Sequence, residues 1–104
     1  MTSIKLPEIA AELPDSWNSH VVDRVGPAYL KVMRMDEMPG EDDIHPEPEA
    51  LLVVEGRMEI AVGGVARSVG PGELCVVPAD TVHRVLPGSR GTLFLVNLNA
   101  PDPV

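Results

Sequence analysis

The chain predicts an all-β fold, a barrel or sandwich, preceded by one short helix. Three observations carry that prediction. Apolar runs of strand length recur from Val21 to Leu98. Gly- and Pro-containing turns separate them, as at Gly63-Gly64, Gly70-Pro71-Gly72 and Pro87-Gly88. One run, Arg57 to Val62, alternates cleanly, with Met58, Ile60 and Val62 on one face and Arg57, Glu59 and Ala61 on the other. Strict alternation is the mark of a half-buried strand, and short strands at regular spacing point to a closed or two-layered sheet.

The elements follow in order. Residues 7–13 form a short helix, because Pro7 suits the first helical position, Pro14 stops the run, and Ile9 and Leu13 share a face. Its expected role is to cover an open barrel end. The chain turns β-like at Val21, and 28–36 form a strand. Residues 37–48 hold three prolines and a cluster of acids and are read as a loop, since proline cannot donate to a strand ladder. Residues 49–54 form a strand and Glu55-Gly56 a bend. Residues 57–62 and 65–69 then pair across Gly63-Gly64, a turn suited to a tight hairpin. Residues 74–77 form a short buried strand and Pro78-Ala79-Asp80-Thr81 a turn. Residues 82–86 and 92–98 are strands on either side of a turn at Pro87-Gly88.

With 104 residues the chain is expected to be a single domain, 1–104, with its barrel core at about 20–99. Trp17, Tyr29 and Phe94 are its only aromatics besides histidine, so the core must be aliphatic. A net charge of −8 argues against nucleic acid and against an anionic membrane surface as partners. No apolar run approaches the length of a membrane span, and Met1 to Pro14 lacks the pattern of a signal peptide, so a cytoplasmic location is expected. The single cysteine, Cys75, lies in the run Leu74-Cys75-Val76-Val77, which reads as buried packing rather than as a catalytic thiol.

His45, Glu49 and His83 are the residues that speak to chemistry. Imidazole and carboxylate are good ligands for a divalent first-row metal. Glu49 opens an otherwise apolar strand, where an isolated carboxylate would be costly to bury. His83 follows a proline-led turn. His45 sits in the acidic, proline-rich loop, with Asp43 two residues before it and Glu47 between two prolines. His20, in SWNSHVV, reads as a surface or subunit-contact residue, and Trp17 as a plug for the barrel end or a dimer seam.

These patterns resemble those of the cupin superfamily, in particular its very small single-domain members. The first cupin motif is Gly, five residues, His-x-His, three or four residues, Glu, six residues, Gly. The second is Gly, five residues, Pro-x-Gly, two residues, His, three residues, Asn. Glu49 and Gly56 keep the first spacing; Gly72, Pro78 and His83 keep the second. The departures are specific. With three residues before Glu49 the His-x-His positions are Asp43 and His45; with four they are Asp42 and Ile44. The His45 register is favoured because the alternative offers isoleucine as a ligand. Asp80 replaces the second-motif Gly, and Pro87 replaces the Asn.

The resemblance implies a jelly-roll barrel, a homodimer, and a metal or small molecule held in the barrel mouth. The implied ligands are His45, Glu49, His83 and Asp43. Mn, Fe, Ni, Co and Zn all suit that set, and a metal-free site is the alternative. The expected function is binding of a divalent metal, a small oxygen-rich ligand, or both. Such a site could serve an isomerase, dioxygenase or lyase, with no catalytic residue assigned. A metal-free binding or dimeric interaction module is the competing expectation, because fold alone does not decide among them.

Overall fold

The structure, a computed structural model, describes residues 3–37 and 44–98. Among the described residues one helix, α1 (Leu6–Glu12), precedes six strands: β1 (His20–Val25), β2 (Ala28–Met35), β3 (Glu49–Val62), β4 (Val65–Val69), β5 (Leu74–Val77) and β6 (His83–Asn97). They pair antiparallel in the order β1-β2-β6-β3-β4, with β5 joined to β3. No described helix is long and apolar enough to cross a membrane. The part of the 37–48 loop from 38 to 43, with Asp42 and Asp43, lies outside the described residues.

Two expected breaks are instead irregularities inside long strands. Glu55-Gly56 does not end a strand: β3 runs on, with a register shift between Val53 and Glu55. Two residues of β3 advance there against one of β6, from Leu93 to Thr92. This β-bulge has a visible consequence, since one extra residue reverses which face the side chains occupy. Leu51 and Val53 point inward before it, and Met58, Ile60 and Val62 after it, so the buried set passes from odd to even numbers.

Pro87-Gly88 likewise lies within β6. From Arg57↔Arg90 to Glu59↔Leu86, β3 advances two residues and β6 four, so an excursion of two extra residues carries the proline out of the ladder. The fully buried Ser89 hydroxyl bridges the gap. It accepts from the Glu59 backbone N–H at 2.9 Å and donates to the Leu86 carbonyl at 2.9 Å. A side chain thus supplies the hydrogen bonds that the interrupted ladder omits.

The interior cluster contains Met35, Leu51, Val53, Met58, Ile60, Val62, Val69, Cys75, Val77, Leu93 and Leu95, the aliphatic core that the composition requires. Trp17 packs against it, and its indole N–H donates to Asp36 at 3.1 Å. The helix does not cap an end. Ala10 and Val32 are buried but stand outside the interior cluster, and α1 packs on β2, β6 and β3. Val32 alternates with the inward-facing Met33 and Met35, so α1 covers the outer face of the sheet.

Candidate metal centre

The site is assembled by three separate stretches of chain. Glu49 is the first residue of β3, and its inward direction follows from alternation with Leu51 and Val53. His83 is the first residue of β6 and faces inward with Ser89. The turn before it depends on Asp80, whose φ of 54° is left-handed. That explains the departure from the Pro-x-Gly pattern: the position needs positive φ, and aspartate is among the few other residues that adopt it readily. The same residue fixes the third stretch. The Asp80 backbone N–H donates to the His45 carbonyl at 2.7 Å, which ties the proline-rich segment to the turn. His45 thereby comes beside His83, with ring centroids 5.3 Å apart, while Ile44 is exposed.

His83 Nε2 lies 3.2 Å from Glu49 Oε1, and both side chains are nearly buried. On its other side the ring meets the Thr81 carbonyl, 3.3 Å from Nδ1. A carbonyl only accepts, so this contact places a proton on Nδ1 and directs Nε2 at the carboxylate. Glu49 Oε2 accepts from the Asn97 amide at 3.2 Å. Burial alone would raise the Glu49 pKa. The hydrogen bonds from His83 and Asn97, with the positive fields of His83 and His45, outweigh it and hold the carboxyl below its ordinary value.

One donor atom from each of His45, Glu49 and His83 lies within 4.8 Å of the others. Around a shared ion with bonds of about 2.1 Å, neighbouring ligand atoms stand roughly 3–3.5 Å apart. The His83–Glu49 distance meets that spacing, and the third donor, from His45, lies within 4.8 Å of both. The donor set, two imidazoles and a carboxylate, therefore fits a divalent transition metal. A buried Asn97 Oδ1 has no hydrogen-bond partner among the described residues, a second sign of a site shaped for more than its own side chains.

Of the residues singled out by sequence, His45, Glu49 and His83 come together. Asp43 lies outside the described residues. Glu47 is half-buried and not part of the cluster, and His20 is exposed on β1. Cys75 is buried opposite Leu51, and burial pushes its thiol pKa up, which disfavours the reactive thiolate. Asn97 was missed. It ends an apolar run and belongs to neither motif; only its pairing beside Glu49 brings it to the site.

The sequence profile of the Cupin domain family matches residues 33–96, more than half of the chain. The chain belongs to the cupin family. Solved structures agree at the level of fold. A protein from Neisseria meningitidis is 22% identical over 94% of this chain and 100% of its own, with a TM-score of 0.79. A cupin-2 domain protein from Shewanella frigidimarina is 17% identical over 95% of this chain and 94% of its own, with a TM-score of 0.81. The cupin also superposes, with a TM-score of 0.83 and 16% identity, on hydroquinone 1,2-dioxygenase PnpCD in complex with Fe3+, covering 98% of this chain but 34% of that one. No curated protein matches the sequence.

Proposed function

We propose that this cupin binds a divalent transition metal through His45, Glu49 and His83, with Asp43 as a further carboxylate ligand. We further infer that a small oxygen-rich molecule binds at the remaining coordination positions. The observation that carries this reading is the convergence of three donor atoms within 4.8 Å, with His83 oriented from behind by the Thr81 carbonyl. Such an outer contact fixes the ring and its tautomer in metal–histidine sites. Asn97 holds Glu49 Oε2, which leaves Oε1 as the coordinating oxygen. A metal in this position would supply Lewis acidity to a chelating substrate. The fold likeness to a dioxygenase in complex with Fe3+ supports the metal reading.

Elemental analysis of protein purified without chelators is the direct test. About one equivalent of transition metal per chain is expected, lost in Glu49→Gln. Protein that contains none, and takes up none of Mn, Fe, Ni, Co or Zn, overturns the proposal. One observation favours the competing metal-free module in that event. His83 and Glu49 already pair with each other at 3.2 Å without an ion.

The homodimer expected from the family is also a proposal, and the outer sheet face supports it. Ala50 pairs with Val76 and Leu52 with Leu74, all on the side away from the core, and Leu74 and Val76 are more than half exposed. A largely apolar hollow of about 250 Å³, lined by Pro48, Ala50, Val76, Val96 and Leu98 together with Glu49 and Asn97, continues this surface. Contiguous apolar patches of this kind mark association surfaces. Light scattering should give twice the chain mass, and Val76→Glu should return the monomer. A monomeric native protein would refute the assignment.

A further inference from the structure

Lys31 is a charged residue inside the barrel. The β2–β6 register turns Tyr29, Lys31, Met33 and Met35 to the same side as Leu93 and Leu95, and Lys31 is only 5% exposed. Its cross-strand row is otherwise apolar: Leu95, Leu51 and Cys75. The adjacent row on the inner face contains Tyr29, Asn97 and Glu49, the row of the candidate centre. Successive inward positions on a strand are about 7 Å apart, a distance that a lysine stem can span.

Two facts bear on that stem. The Lys31 ammonium lies 5.7 Å from the centre of the Tyr29 ring, on the side of Lys31 where Tyr29 pairs with Asn97. Among the described residues, no carboxylate forms an ion pair with it. Burying a cation is costly unless an anion or strong acceptors compensate. A second cation, Arg24, stacks on the same ring at 4.5 Å. Two positive groups thus converge on one tyrosine in a chain of net charge −8. Nearby, the buried Asn97 Oδ1 lacks a donor. The interior therefore offers an unpaired cation and an unfilled acceptor in neighbouring rows. A ligand that completes both carries a negative group and a hydroxyl.

We propose that Lys31 is the anion-binding residue of the barrel mouth, holding the carboxylate of a small 2-hydroxy acid whose hydroxyl donates to Asn97 Oδ1. This rests on the metal-site reading for the placement of the hydroxyl, which lies on the metal side of the carboxylate. The charge preference rests on Lys31 alone. Neutral polyols and sugars are poor ligands on this assignment, because they leave the ammonium uncompensated.

The test uses L-lactate and propane-1,2-diol, which differ in a carboxylate against a hydroxymethyl group. Zinc uptake is measured first, so a failure of the metal site is seen separately; the comparison is then made by calorimetry on zinc-loaded and metal-free protein. Lactate is expected to bind roughly tenfold or more tighter than the diol, the size of effect a charge-assisted hydrogen bond gives. Lys31→Met should abolish that preference without changing zinc stoichiometry, and Lys31→Arg should keep it. Equal binding of the two probes, or a preference unchanged in Lys31→Met, overturns the proposal. A second measurement needs no variant. Lys5 and Lys31 are the only lysines, so selective ¹³C-lysine labelling gives two side-chain signals. Lactate should move the Lys31 signal and leave Lys5 in place; an unmoved Lys31 signal rejects the assignment.

Discussion

His83→Ala is expected to abolish metal binding and to destabilise the metal-free protein as well. The imidazole is one of two side chains that hold Glu49, and its removal leaves a nearly buried carboxylate held by Asn97 alone. Breaking one side of a buried, hydrogen-bonded pair costs about 2–3 kcal/mol in this setting. For a domain of this size that is a fall in Tm on the order of 10 °C. Glu49→Gln in the same background removes the stranded charge, so the double variant should regain part of the loss. Additive effects in this cycle, measured by denaturant unfolding, would mean that the pair is not energetically coupled.

The same pair predicts the acid limb of stability. The Glu49 pKa is lower in the folded protein than its ordinary value of 4.5. A carboxyl with a depressed folded pKa contributes stability that is fully present above its unfolded value and is lost as pH falls through the folded one. Metal-free wild-type protein should therefore lose stability below about pH 4.5, and Glu49→Gln should show a shallower fall in that window. Parallel acid limbs would show that Glu49 does not contribute. Metal binding should also weaken on acidification, because protons compete with the ion for imidazole and carboxylate donors.

The largest effect on folding is expected at Gly56. This residue and Gly91 face each other in the β3–β6 ladder, both with positive φ, where the two long strands bend together. A Cβ on Gly56 would stand 2.0 Å from the Arg90 carbonyl oxygen, and one on Gly91 would stand 2.1 Å from that of Glu55. These obstacles are backbone atoms in a paired ladder, so neither can rotate away. Gly56→Ala should cost more than about 4 kcal/mol and leave little soluble folded protein, an extreme for a single substitution. Gly64 supplies the control. Its φ is also +83°, but nothing lies within 4 Å of its Cβ position, so Gly64→Ala should cost only about 1 kcal/mol. Similar midpoints for the two variants would show that φ strain, not the close approach of strands, governs both sites.

The Gly56 motif position thus has a physical reason that the sequence pattern alone did not reveal. The pattern located the glycine, but its local neighbours suggested a bend that ends a strand. Pro87-Gly88 misled in the same way. Both readings relied on local turn chemistry, whereas the outcome depends on a partner strand about thirty residues away in sequence. There a bulge absorbs one extra residue and the Ser89 hydroxyl replaces missing ladder bonds.

By itself the sequence determined what is local or periodic. The alternation of Arg57–Val62 set the inward face of that segment, the turns at Gly63-Gly64, at Gly70-Pro71-Gly72 and at Pro78 to Thr81 separated β3, β4, β5 and β6, and the motif spacing located Glu49 and His83. These follow from side-chain geometry along one strand and from backbone preferences at single residues, which need no partner. Tertiary structure decided what depends on register. It brought His45 beside His83 through the Asp80–His45 backbone bond, set Asn97 against Glu49, and placed Lys31 one row from the site. A one-residue slip in β-pairing sends every side chain to the opposite face. The inward direction of Asn97 and Lys31 is therefore a property of how distant strands pair, and no local pattern in either segment contains it.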